Sequence, residues 1–112
     1  MKPILQIKVK ISGATWKVRV LSEDNFRLTH GDGLAATVPD NKTIDFIEDV
    51  WNDRIVRHET FHAYFTDLHL DDVDEIKINT IEEIMARFFE SKAAEVLKTA
   101  SAISRSLRRK LK

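Results

Sequence analysis

Hydrophobic and polar residues alternate along the start of the chain. In "ILQIKVKI" and again in "TWKVRVLS" every second position is apolar, and Ser12, Gly13 and Ala14 separate the two runs. A period of two around a short glycine-containing turn predicts a β-hairpin with one face in water. After "FRLTHGDGLAATV" comes Pro39-Asp40-Asn41-Lys42, a turn signal in which Pro presets φ and Asn tolerates positive φ. The following "KTIDFIE" predicts a third or fourth strand, with Ile44, Phe46 and Glu48 on one side. Residues 4–48 are therefore expected to form a small antiparallel or mixed sheet.

Past Asp49 the period lengthens. Val50, Trp51, Ile55, Phe61 and Phe65 fall on helical spacing, with Asn52 or Asp53 as the cap, which predicts a helix over residues 50–66. Residues 67–75 read as an acidic loop. Thr80 then opens a second helix through T-I-E-E, a capping box with Glu83, and this helix runs over residues 80–112. Strands first and helices second imply an α+β fold, one domain spanning residues 1–112.

Composition narrows the classes without choosing a function. At 112 residues, 43% of them hydrophobic, the chain can bury one core. Eighteen basic and eighteen acidic residues cancel, so global charge singles out neither nucleic acid nor an anionic membrane. The absence of cysteine excludes disulfides and thiolate metal sites and suits a reducing cytoplasm. No apolar run approaches the roughly 20 residues needed to span a bilayer, and "MKPILQIKVK" lacks the apolar core of a signal peptide. The expectation is a soluble cytoplasmic protein with no membrane partner.

The chemistry lies in "DRIVRHETFHAYFTDLH". His58, Glu59 and His62 form H-E-x-x-H, and on a helix the two histidines project from one face about one turn apart, so both imidazoles can meet one cation. Zinc is the metal this pattern suits, and Glu59 beside it is placed to act as general base. The uncharged flanks Ile55, Val56, Thr60, Phe61, Ala63 and Tyr64 put the motif on a half-buried helix. A bland reading also exists: two histidines that are merely solvent-facing or satisfied in a core.

A third protein ligand is needed. His69 follows His62 by seven residues, whereas the three-histidine pattern needs six and a glycine where Phe65 stands, so His69 reads as a loop residue. A carboxylate from the second helix is the better proposal. Glu82 shares a helical face with Met85, Phe89, Ala93 and Val96, while Glu83 falls with Arg87 and Glu90 on the wetter side. An acid on an apolar face needs a partner, which favours Glu82 over Glu83. Both carboxylates could also simply favour the helix N-terminus. Tyr64 and His30 are further side chains able to support an oxyanion, but Tyr64 reads as a packing aromatic and His30 as part of the turn "THGDG".

His58-Glu59-Thr60-Phe61-His62 followed by a glutamate-bearing helix resembles the gluzincin type of zinc metallopeptidase. "GLAATVPDNKTIDFIEDVW" is similar to the strand-turn-strand before the motif in small phage and ImmA/IrrE-like metallopeptidases, and the order sheet, motif helix, glutamate helix resembles that of the minigluzincins. The resemblance covers roughly residues 33–89. It implies a zincin-like fold, Zn2+ held by His58, His62 and Glu82, and Glu59 as general base. It further implies a peptide or protein substrate paired with "KTIDFIE" as edge strand, and a phage or mobile-element origin. The chain departs from the pattern four residues after the glutamate, where many relatives have Asp or Asn and this sequence has Ala86 or Arg87.

Five of the last eight residues are basic: Arg105, Arg108, Arg109, Lys110 and Lys112. Such a run is commonly a solvated helix end. It could instead contact a nucleic-acid backbone, dock on the acidic loop, or fold over the cleft as a self-inhibitory segment, as the minigluzincin resemblance suggests. The alternative to a peptidase is a non-catalytic, zincin-fold interaction or regulatory protein whose tail touches DNA or a protein partner.

Overall fold

In a computed structural model of the chain, the described residues are 2–66 and 78–111, without the side chains of residues 78–84 and 91. The expected acidic loop and His69 lie outside them. The described chain is a small α+β fold: β1 (Leu5–Ile11), β2 (Ala14–Leu21), α1 (Glu23–His30), β3 (Ala35–Val38), β4 (Thr43–Ile47), α2 (Asp53–Phe65) and α3 (Ile78–Lys110). None of the described helices is long and apolar enough to cross a membrane.

The expected hairpin is present. Ser12 and Gly13 form its two-residue loop, both with positive φ (50° and 81°), the backbone twist that joins antiparallel strands most readily. The sheet is mixed, in the order β1-β2-β4-β3, with β4 parallel to β2 and antiparallel to β3. This corrects the expectation for "KTIDFIE". Its strand is interior and buried along its whole length, so the edge beside the helices belongs to β3. In the turn between β3 and β4, the positive φ falls on Lys42 rather than Asn41.

One face of the sheet carries the main core. Ile7, Val18, Val20, Ile44 and Phe46 pack there with Val56, Ala63 and Tyr64 of α2 and with Ile103 and Leu107 of α3. The other face is shorter and holds α1, whose Phe26 packs with Leu21 and Ile47. Residues 23–30 form this helix within the stretch expected to be all sheet and turns. Ser22 caps it by accepting a hydrogen bond from the Asn25 amide, Glu23 and Asp24 fill its first turn, and Gly31 ends it at φ 75°. His30 is thus the last residue of a helix, and its Nε2 lies 2.6 Å from the buried Asp45 carboxylate, which Arg19 also grips with two hydrogen bonds.

Between the expected cap candidates the structure selects Asn52, whose Oδ1 accepts from the Ile55 amide. α3 begins at Ile78, two residues ahead of Thr80, so the T-I-E-E segment is inside the helix and not at its cap. α3 packs antiparallel to α2: Asp53, at the start of α2, meets Arg108, while Phe61 and Phe65, near its end, meet Phe88.

Candidate metal centre

The motif helix α2 has three differently occupied sides. Val56, Thr60 and Ala63 face the core, Phe61 and Tyr64 face α3, and His58 and His62 point outward. Four residues turn a helix through little more than one full circle, which stacks the two imidazoles one above the other. Their Nε2 atoms are 3.1 Å apart and the rings meet edge to face. Two imidazole nitrogens on a tetrahedral zinc, each about 2.0–2.1 Å from it, are about 3.3 Å apart. The pair is therefore close to the separation the metal requires.

Glu59 lies between these histidines and the sheet, with only 6% of its surface exposed. The ligand atoms of His58, Glu59 and His62 all fall within 4.8 Å of one another, a group that could hold a metal ion. The expected third ligand is on α3, but the side chains of Glu82 and Glu83 are outside the described residues. The described residues of the supposed apolar face are unevenly buried. Val96 is in the core, Met85 and Ala93 are half-buried, and Phe89 is 55% exposed.

A cleft of about 520 Å3 opens in front of the histidines, walled by Leu34 and Ala35 on one side and by Asn52, Arg54 and Ile55 on the other. A second hollow of about 360 Å3 continues along β3 past Thr37 and Pro39, and shares Ala35, Glu59 and His62 with the first. The strand wall is tied to the motif helix directly, since the Thr37 hydroxyl donates to the Glu59 backbone carbonyl at 3.2 Å. An edge strand thus runs beside the carboxylate and both imidazoles. The resemblance implied a strand in "GLAATV" but gave the edge to "KTIDFIE", so the wall residues Leu34, Ala35 and Thr37 were not singled out.

The other sequence candidates lie elsewhere. Tyr64 is buried, and its hydroxyl is 2.9 Å from the Thr99 hydroxyl and 3.4 Å from Glu95 on α3, which fits the packing reading. His30 is engaged by Asp45 on the α1 side of the sheet. The basic tail is the last part of α3: Leu107 is fully buried and Arg108 pairs with Asp53 while lying 5.8 Å from the Trp51 ring. No tail residue lines the cleft among the described residues.

No protein-family model matches the chain, and neither a curated protein nor a solved structure is significantly similar to it.

Proposed function

We propose that this chain is a zinc metallopeptidase of the gluzincin kind, a small zincin-like hydrolase acting on an extended peptide. One observation carries the reading: two imidazole Nε2 atoms 3.1 Å apart beside a buried glutamate, in a cleft walled by a sheet edge. His58 and His62 would hold the zinc. Glu82 is our choice for the third protein ligand, because it shares its side of α3 with the apolar Met85, Phe89, Ala93 and Val96, although that side is only partly buried. Bound zinc supplies Lewis acidity to the scissile carbonyl and to the attacking water.

The remaining work falls to the chain's own groups. Glu59 accepts the proton of the attacking water and passes it to the leaving amine. Among the described residues β3 is an edge strand, and its outer backbone amides and carbonyls would pair with a substrate strand, which gives affinity independent of side-chain identity. Leu34, 58% exposed, and Ile55 supply apolar contact next to the reacting bond.

The test is Glu59→Gln, measured for zinc content by elemental analysis and for hydrolysis of a mixed peptide library. Zinc should be retained while hydrolysis falls by about 10²–10⁴-fold, the range for losing a general base. Unchanged hydrolysis would overturn the proposal.

A further inference from the structure

On the α3 side of α2 lies a groove of about 340 Å3 that shares no lining residue with the cleft. Arg57 of α2 and Lys98, Arg105 and Arg108 of α3 border it, with the hydroxyls of Ser101 and Ser104 between them. Its one carboxylate, Asp53, is already paired with Arg108. The charge continues along α3: Arg105 also borders a second hollow, with Ala102, Ser106 and Arg109. After Glu95 the sequence contains no acidic residue at all. In a chain with balanced overall charge, the α2–α3 face thus carries Arg57, Lys98, Arg105, Arg108 and Arg109 against one carboxylate.

We infer that this α2–α3 face binds the phosphodiester backbone of nucleic acid without reading its sequence. Four features select that ligand. From Lys98 to Arg109 the strip runs about 16 Å along the helix at 1.5 Å per residue, longer than one phosphate occupies. A DNA strand offers a phosphate about every 3.4 Å of axis, so several fall within reach. Between the cations stand Ser101, Ala102 and Ser106, short side chains that let a backbone approach, with hydroxyls able to donate to phosphate oxygens. Neither hollow is lined by a large apolar residue, the anchor on which a protein partner would depend. Guanidinium groups suit phosphate by presenting paired donors in one plane.

The experiment is fluorescence anisotropy of the full chain with a labelled duplex of about 20 base pairs and arbitrary sequence, over about 50–200 mM salt. With Arg57, Lys98, Arg105 and Arg109 each neutralising a phosphate, log affinity should fall against log salt with a slope of about −3 to −4. The triple variant Lys98→Gln/Arg105→Gln/Arg109→Gln leaves the Asp53–Arg108 pair intact. It should keep its melting temperature, lose at least about tenfold in affinity at the lowest salt, and show a slope shallower by about 2–3. A second triple variant on the far sheet face, Lys8→Gln/Lys10→Gln/Lys17→Gln, should bind as the parent does. The inference is overturned by no binding at low salt, by undiminished binding in the α3 variant, or by an equal loss in the sheet-face variant. Binding of inorganic phosphate but not of the duplex, or of an acidic peptide in preference to it, overturns it as well. Glu59→Gln should bind DNA normally, so failure of this inference and failure of the peptidase proposal are read separately.

Discussion

Thr37 of the edge strand donates its hydroxyl hydrogen bond to the backbone carbonyl of Glu59, 3.2 Å away, joining the wall of the cleft to the residue proposed as base. This bond fixes the height of β3 over the motif helix. Thr37→Val keeps the shape of the side chain and removes the donor, so stability should fall by only about 1 kcal/mol. Zinc affinity should not change, because the Thr37 hydroxyl bonds to the Glu59 backbone and not to a histidine, whereas kcat/KM for peptides should fall through looser alignment of the substrate strand. Urea denaturation, zinc titration and peptide kinetics on the same variant separate these three effects.

Zinc binding should also stabilise the fold. A ligand that binds only the folded chain adds about 2.7 kcal/mol at a hundred times its dissociation constant, so the melting temperature should rise with zinc and return on chelation. His58→Ala and His62→Ala should each abolish that rise. The third ligand is then read by comparison: Glu82→Gln should lose most of the zinc-dependent shift, while Glu83→Gln and His69→Ala keep it. A shift lost only in His69→Ala would reassign the ligand to the segment after α2.

The sequence made the hairpin and the motif helix legible because each buries one side at a regular period, and it marked β4 as a strand through the turn before it and the alternation of Ile44 and Phe46. The elements it hid are those with little periodic signal. α1 is eight residues long and buries only Phe26, so its cap at Ser22 read as the end of a strand and Gly31 as part of the turn "THGDG". In β4, Ile44 and Phe46 mark one face correctly, but the opposite face is buried too, through Thr43, Asp45 and Ile47. Nothing local in "TIDFI" reveals that Asp45 is covered, because its partners Arg19 and His30 lie 26 and 15 residues away in the chain. The order of strands is likewise a long-range property, and it moved the free edge from β4 to β3. For the candidate site, helical spacing predicted the grouping of His58, Glu59 and His62, whereas the cleft's far wall lies on β3, whose edge position the sequence had given to "KTIDFIE".

Asp45 is the structural pivot of the α1 face. Its carboxylate has no exposed surface, takes two hydrogen bonds from Arg19 at 2.7 and 2.6 Å, and lies 2.6 Å from His30 Nε2. Asp45→Ala leaves the guanidinium beside an empty space and removes the tie between α1 and the sheet. The loss should be about 3 kcal/mol, at the lower end for a broken buried pair because Arg19 is partly exposed. Replacing both partners, Arg19→Met with Asp45→Leu, should recover much of it, since no charge is then left uncompensated. Chemical denaturation of the single and double variants measures this. A double variant no more stable than Asp45→Ala would mean that the tie to His30, and not the Arg19 charge, dominates.

The pair between α2 and α3 predicts a pH dependence. The Asp53 carboxyl is held below its ordinary value of 3.8, first by the hydrogen bond from Arg108, then by one from Ser104, with smaller attractions to Arg108 and Arg57 opposing a modest desolvation. A carboxyl whose pKa is lower in the folded chain than in the unfolded one favours folding when ionised. Its contribution is therefore complete above about pH 4 and is lost as the pH falls through the lower, folded value. Asp53→Asn should be less stable than the parent at neutral pH, and the difference should shrink as the pH falls below the ordinary carboxyl value of 3.8. Because the carboxylate is about half exposed, the neutral-pH difference should be modest and should shrink with added salt. Denaturation midpoints of both proteins across that range check the sign: a difference that grows on acidification would show that the pair does not act through the charge of Asp53.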